Sequence, residues 1–208
     1  MKLEKVQFIT HSNYNIDYFQ SAVLALKGGL RFIQLRMKDS NREELISTGK
    51  RIKEECDKYN SLFILDDHVE LVNEIGANGV HLGKEDMPIK KARKILGDNK
   101  IIGGTANNFE DIVKHYNDGA DYIGLGPLRY TNTKKKLSPV LGFEGYRNII
   151  EKCKTQGIDI PIYAIGGIRI EDIEELKRIG VFGIAISSLI LESEDSETTI
   201  NEINKIIK

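Results

Sequence analysis

The sequence predicts a (β/α)8 barrel, an α/β fold, laid out as a single domain across residues 1–208. Three observations predict it. A weak internal repeat places a glycine between an amphipathic segment and a short apolar run. Eight such apolar runs can be counted. Eight units in 208 residues leave 26 residues for each, about the least that a strand, a loop and a crossover helix occupy.

The repeat is clearest in Gly76-Ala77-Asn78-Gly79-Val80-His81-Leu82-Gly83, Gly119-Ala120-Asp121-Tyr122-Ile123-Gly124-Leu125-Gly126 and Gly180-Val181-Phe182-Gly183-Ile184-Ala185-Ile186-Ser187. Gly28 to Leu35 is a fainter copy. Glycine just past the last helical turn enters the left-handed region without penalty, and the apolar run after it reads as a buried strand. The remaining strands fall at 6–10, 62–65, 100–104 and 161–165. Between them lie helical stretches. Ser40-Asn41-Arg42-Glu43 reads as a capping box opening a helix with Leu45, Ile52, Cys56 and Tyr59 on one stripe. Asn108 is placed to cap Phe109–Asn117, with Glu110 and Asp111 favourable to the helix dipole. Ile173, Leu176 and Ile179 form another stripe, with Lys177 and Arg178 in its last turn. Strict alternation means a parallel sheet. An open doubly wound sheet is the rival, and even spacing favours closure. The one irregular stretch, Pro127 to Leu141, is longer than an ordinary turn, and such loops are often functional.

Composition narrows the class. Hydrophobic residues make up 40% and aromatics 7%, with no Trp, so Ile, Leu and Val should dominate the core. Thirty basic and thirty-one acidic residues leave a net charge of −1. That gives no general field for nucleic acid or a membrane surface, so any attraction for anions is local. Cys56 and Cys153 match no metal or redox spacing and read as buried free thiols of a reducing, cytoplasmic compartment. The start is too weakly apolar for a signal peptide, and no stretch approaches a membrane span. Nothing in the pattern opposes a homo-oligomer.

In this fold, chemistry sits where strands end and loops begin. Charged, hydroxyl and glycine residues gather at those ends, among them Gln34, Arg36, Lys38, Asp66, Asp67, Asp86, Thr105, Gly166, Gly167 and Ser187. Gly166-Gly167 after the seventh strand and Ile186-Ser187-Ser188 after the eighth occupy the usual phosphate position. Arg36 and Lys38 flank Met37; two residues apart in extended chain, they point to one side and suit a multiply charged phosphate. Asp67 and Asp86 end neighbouring strands and can share Mg2+ with substrate phosphates. Each has an alternative reading as a helix cap, Asp67 before Val69 and Asp86 before Pro88. Thr131-Asn132-Thr133-Lys134 lies in a loop able to close over anions. His81 and His115 need no special role, and His115 reads as helical and surface-exposed.

Together, Gln34-Leu35-Arg36-x-Lys38, Asp67, Gly79-Val80-His81-Leu82-Gly83-x-Glu85-Asp86-Met87-Pro88, Gly124-x-Gly126-Pro127, Thr131-x-Thr133-Lys134 and Ala164-Ile165-Gly166-Gly167-Ile168 resemble the thiamine phosphate synthase family. The resemblance runs in order from about the second strand to the eighth. It implies two small phosphorylated substrates, a hydroxymethylpyrimidine diphosphate and a hydroxyethylthiazole phosphate, joined to thiamine phosphate with release of diphosphate. It implies that Asp67 and Asp86 hold Mg2+. Gln34, Arg36, Lys38, Thr105 and Lys134 would contact the pyrimidine diphosphate, with Arg36, Lys38, Thr105 and Lys134 the catalytic set. Thr131, Thr133, Gly166, Ile186 and Ser187 would hold the thiazole phosphate. Leu35, Met37, Asp66, Asn132 and Gly167 complete the binding set. In the family, diphosphate leaves first and the thiazole nitrogen traps the pyrimidine methyl cation. This chain departs from the usual pattern at Asp66, commonly Asn; His68, commonly Arg; Met37, commonly acidic; Thr105, usually Ser; and Asn107, near a usual His. Two rivals on the same fold are a thiazole tautomerase-like paralogue, which needs neither metal nor diphosphate, and a non-catalytic phosphate-ligand sensor. A phosphosugar isomerase would need an acid–base pair that only His11, Asp66 and Asp67 offer.

Overall fold

A computed structural model describes residues 2–38, 40–130 and 139–207. Eight parallel strands close into a barrel in sequence order: β1 Val6–Ile9, β2 Phe32–Leu35, β3 Leu62–Asp66, β4 Gly79–Leu82, β5 Ile101–Ala106, β6 Tyr122–Leu125, β7 Ile162–Ile165 and β8 Gly183–Ile186. Closure is made by β1 pairing with β8, Val6 opposite Ile184 and Phe8 opposite Ile186. The open-sheet alternative is thereby removed. The helices are α1 Tyr18–Lys27, α2 Arg42–Lys58, α3 Val72–Ile75, α4 Ile89–Leu96, α5 Phe109–Asn117, α6 Gly142–Thr155, α7 Ile173–Ile179, α8 Ser188–Leu191 and α9 Ser196–Ile207.

Strand pleating divides the core in two. One set of side chains, including Phe8, Ile33, Leu35, Phe63, Leu65, Val80, Ile102, Ile123 and Ile184, faces outward and is sealed by the helices. The other faces inward, where Phe32, Leu62, Ile64, Tyr122, Tyr163 and Ala185 form a separate cluster. The outer layer is mostly aliphatic, as composition suggests, but half of the interior cluster is aromatic. Phe32, Tyr122 and Tyr163 meet edge to face with ring centroids 5.4–5.8 Å apart, a favourable arrangement for aromatic quadrupoles. The interior can hold them because the neighbouring strand β5 supplies Gly103, where a Cβ would collide with the Tyr122 ring.

Local signals set the helix ends. Asn108 caps α5 by accepting from Asp111 N at 2.8 Å. The capping box of α2 sits one residue later than the Ser40–Glu43 reading. Asn41 is the extended residue (φ −74°, ψ 166°) and accepts from Glu44 N at 2.9 Å, and the Glu44 side chain returns to Asn41 N. Gly76 and Gly180 end α3 and α7 in the left-handed region, as the repeat predicts. Cys56 and Cys153 are free and buried, and burial pushes the Cys56 thiol up to about 12.

Candidate active site

The ends of β2 and β3 bring charge together first. Beyond Leu35 the chain stays open enough for alternation: Met37 tucks into the outer core while Arg36 and Lys38 turn toward β3. Arg36 Nε lies 3.5 Å and Lys38 Nζ 3.9 Å from Asp66 Oδ2, and Lys38 Nζ lies 3.1 Å from Asp67 Oδ2. Burial disfavours the Lys38 ammonium, but Asp66 and Asp67 outweigh it and hold its pKa above the ordinary lysine value, with Arg36 opposing.

Asp67 takes a left-handed backbone conformation (φ 66°), one that is uncommon outside glycine but that Asp and Asn enter more readily than other residues. Its N–H donates to His81 O at 2.9 Å, which ties the turn to β4. Asp86 reaches the same place from the other side. Its Oδ2 accepts from Gly83 N at 2.6 Å, closing a turn after β4 in which Gly83 has little room for a Cβ. Neither carboxylate caps a helix: the N-cap of the 3-10 turn Val69–Leu71 is His68 and that of α4 is Pro88, both without a side-chain cap hydrogen bond. Burial first, then the hydrogen bond with Asp67 and that residue's charge, push the Asp86 carboxyl up, while Gly83 N–H and Lys38 pull it down. Two carboxyl groups close enough to raise the pKa of one of them in a half-buried turn are a place where added positive charge is favoured. Among the described residues no group of three or more His, Cys, Asp or Glu is arranged to hold a metal ion. A divalent ion at Asp67 and Asp86 would take its other ligands from substrate oxygens and water, the usual arrangement for Mg2+.

Thr105, near the end of β5, is nearly buried and held at both ends. Its hydroxyl lies 2.9 Å from His81 Nε2, and its carbonyl 2.9 Å from His115 Nε2. His115 is therefore buried, which corrects the surface reading. The signal was present: Phe109, Ile112 and His115 recur every three residues and form the buried face of α5. Behind Thr105 sequence reasoning named only Gln34; it gave His81 no role and passed over Gln7 and Tyr122. Gln7, Gln34, His81 and Tyr122 form a polar layer inside the barrel. They come from four different strands, and only the register brings them together.

Across the barrel, Gly166 and Gly167 follow β7 at positive φ (90° and 65°). Both are packed against the chain after β6. A Cβ on Gly166 would press on Pro127, and one on Gly167 on Arg129. Leu128 N donates to Ile165 O and Arg129 N to Gly166 O, each at 3.0 Å. Arg129 then forks onto the buried Asp172, which also accepts from Arg169 N at 2.8 Å. This fork fixes the glycine loop to its neighbour and was not visible in the sequence. Ser187 follows β8 directly, and its Oγ is buried with no hydrogen-bond partner among the described residues. An orphaned buried hydroxyl beside a glycine turn fits a missing anionic oxygen. The Ile186 side chain, like that of Leu35, faces the outer core, which leaves their backbone toward the rim. Thr131, Asn132, Thr133 and Lys134 lie outside the described residues.

Comparison with known proteins agrees with this geometry. A family model described as thiamine monophosphate synthase matches residues 6–190. A thiamine-phosphate synthase of Phocaeicola vulgatus is 54% identical over 194 residues, 93% of each chain. That of Bacteroides thetaiotaomicron is 50% identical over 206 residues, covering 98% of this chain and 99% of its own. The solved thiamine phosphate pyrophosphorylase from Pyrococcus furiosus superposes with a TM-score of 0.85 at 34% identity, covering 98% of this chain and 95% of that one. With so long a match at such identity, the chain belongs to the thiamine monophosphate synthase family and is a transferase.

Proposed function

We propose that this thiamine-phosphate synthase joins hydroxymethylpyrimidine diphosphate to hydroxyethylthiazole phosphate, with Mg2+ at Asp67 and Asp86. The observation that carries the reading is the charge cluster at the ends of β2, β3 and β4. There Arg36 and Lys38 stand within 4 Å of Asp66 or Asp67, and Asp67 is close enough to Asp86 to push its carboxyl pKa up. Cations beside a metal-ready carboxylate pair suit a diphosphate and little else in a chain of net charge −1.

The C–O bond of the pyrimidine diphosphate breaks, its electron pair leaves on the diphosphate, and the lone pair of the thiazole nitrogen forms the new C–N bond. No protein nucleophile is required. Arg36 and Lys38 bind the departing oxygens, and the Thr105 hydroxyl donates to them, as does Lys134 from its loop. Such preorganised charge is worth most where water is excluded. When bound, Mg2+ supplies further positive charge to the leaving group. Gln34 and Asp66 face the pyrimidine. Gly166, Gly167 and Ser187 hold the thiazole phosphate, so that the two substrates meet over the barrel mouth. The paired carboxylates favour synthase activity over the tautomerase-like alternative, which has no use for them. Among the described residues no helix is long and apolar enough to cross a membrane, in keeping with work on small phosphorylated metabolites in the cytoplasm.

The test is direct. Purified protein with both substrates and Mg2+ should yield thiamine phosphate and diphosphate, and chelation should stop it. Folded protein that gives no product would sink the assignment; product unaffected by chelation would remove the metal from it.

A further inference from the structure

Six buried or nearly buried polar side chains are linked through the barrel interior. Asp66 Oδ1 accepts from Gln34 Nε2 at 2.6 Å. Gln34 Oε1 accepts from Gln7 Nε2 at 2.9 Å, and the same nitrogen donates to the Tyr122 hydroxyl oxygen at 3.0 Å. That oxygen lies 3.0 Å from His81 Nδ1, and His81 Nε2 lies 2.9 Å from Thr105 Oγ1.

The chain has a direction. A carboxylate only accepts, and Asp66, flanked by Arg36 and Lys38, stands at one end as that acceptor. It turns the Gln34 amide so that Nε2 faces it and Oε1 faces Gln7. Gln34 Oε1 then requires the NH2 of Gln7, and the second hydrogen of that NH2 is aimed at the Tyr122 oxygen. The phenol accepts there, so its own hydrogen goes to His81. Nδ1 is then the bare ring nitrogen, and the imidazole proton sits on Nε2, where it donates to Thr105. With its oxygen used as an acceptor, the Thr105 hydroxyl keeps its hydrogen for another partner. Run the other way, Nδ1–H would face Tyr122, and the fully buried phenol hydrogen would find no acceptor in the hydrogen bonds described among these residues.

We infer that Tyr122 and His81, oriented from Asp66 through Gln34 and Gln7, are positioning residues that set the Thr105 hydroxyl as a donor toward the barrel mouth. A diphosphate presents oxygens that accept, so a hydroxyl held as a donor binds it and a hydroxyl held as an acceptor repels it. The inference rests on the proposed contact between Thr105 and the pyrimidine diphosphate.

Nitrogen NMR of the histidine rings reads the tautomer without turnover, and the close approach of the Tyr122 ring, 5.5 Å between centroids, identifies His81. The expected spectrum of the unliganded wild-type protein shows a bare Nδ1 and a protonated Nε2. A proton on Nδ1 overturns the inference whatever the activity. Kinetics read the consequence. Thr105→Val should lower kcat about 100-fold, as loss of one oriented donor does, and Thr105→Ser should restore it. Tyr122→Phe should lower kcat about tenfold and leave KM for the thiazole phosphate unchanged. In the Thr105→Val background, Tyr122→Phe should do nothing more. Losses that multiply in the double variant would show Tyr122 acting elsewhere and would overturn the assignment. An inactive wild-type protein with the expected tautomer would instead count against the synthase reading alone.

Discussion

Asp86 carries a charge that its immediate surroundings oppose. Burial and Asp67 raise its pKa in the folded chain. A carboxyl whose folded pKa is raised works against stability when ionised: that penalty is complete above the folded pKa and fades as pH falls through it. Metal-free Asp86→Asn should therefore melt higher than the parent at neutral pH, since the carboxamide still accepts from Gly83 N. The difference should shrink on acidification. The same variant should lose the rise in Tm that Mg2+ gives the parent. Thermal melts at several pH values, with and without Mg2+, check both; a lower Tm at neutral pH would show Asp86 to be a turn residue only. At this scale much was legible. Period-two spacing put Arg36 and Lys38 on one side, and consecutive strand ends put Asp67 near Asp86. The Gln7–Tyr122–His81 layer was not legible, because its members sit 41 to 115 residues apart and meet only through strand register.

Residues 127–130 after β6 and the loop after β7 are joined as one element. Two backbone hydrogen bonds and the Arg129–Asp172 fork zip them together, and Asp172 is only 2% exposed. Removing one partner of a buried pair strands the other charge, which costs about 3–5 kcal/mol. Arg129→Met should be destabilised by about that much in urea melts. Adding Asp172→Asn should recover most of it, because the carboxamide oxygen still accepts from Arg169 N. A double variant no more stable than the single would mean that the pair matters for packing and not for charge. Sequence reasoning placed the glycine pair at the strand end and read phosphate chemistry or a tight turn there. The collisions with Pro127 and Arg129 show that close packing asks for glycine there as well. Caps were easier: Asn108 was placed correctly, and the α2 box was misplaced by one residue because Ser40 and Asn41 are both good caps and only the backbone chooses between them.

At the scale of the whole molecule, four copies of the glycine repeat and four further apolar runs were enough to predict eight parallel strands in order, since glycine marks the end of a helix and a short apolar run the strand. Closure followed from even spacing. The contents of the barrel did not, because a chain with few aromatics gives no hint that three of them will gather on its axis. Phe32, Tyr122 and Tyr163 stop the barrel from within, and Phe32 and Tyr122 are wholly inaccessible to solvent. A stoppered cylinder has one door. Two reactants must arrive and two products must depart by the same rim, and traffic through it is single file wherever their paths overlap. If Arg36 and Lys38 hold the diphosphate as proposed, product that lingers there occupies the berth of the next pyrimidine diphosphate. Added diphosphate should thus inhibit competitively against that substrate and not against the thiazole phosphate, a pattern that initial-rate kinetics would reveal. The aromatic floor, chosen for packing, in this way sets the order of traffic for the catalyst above it.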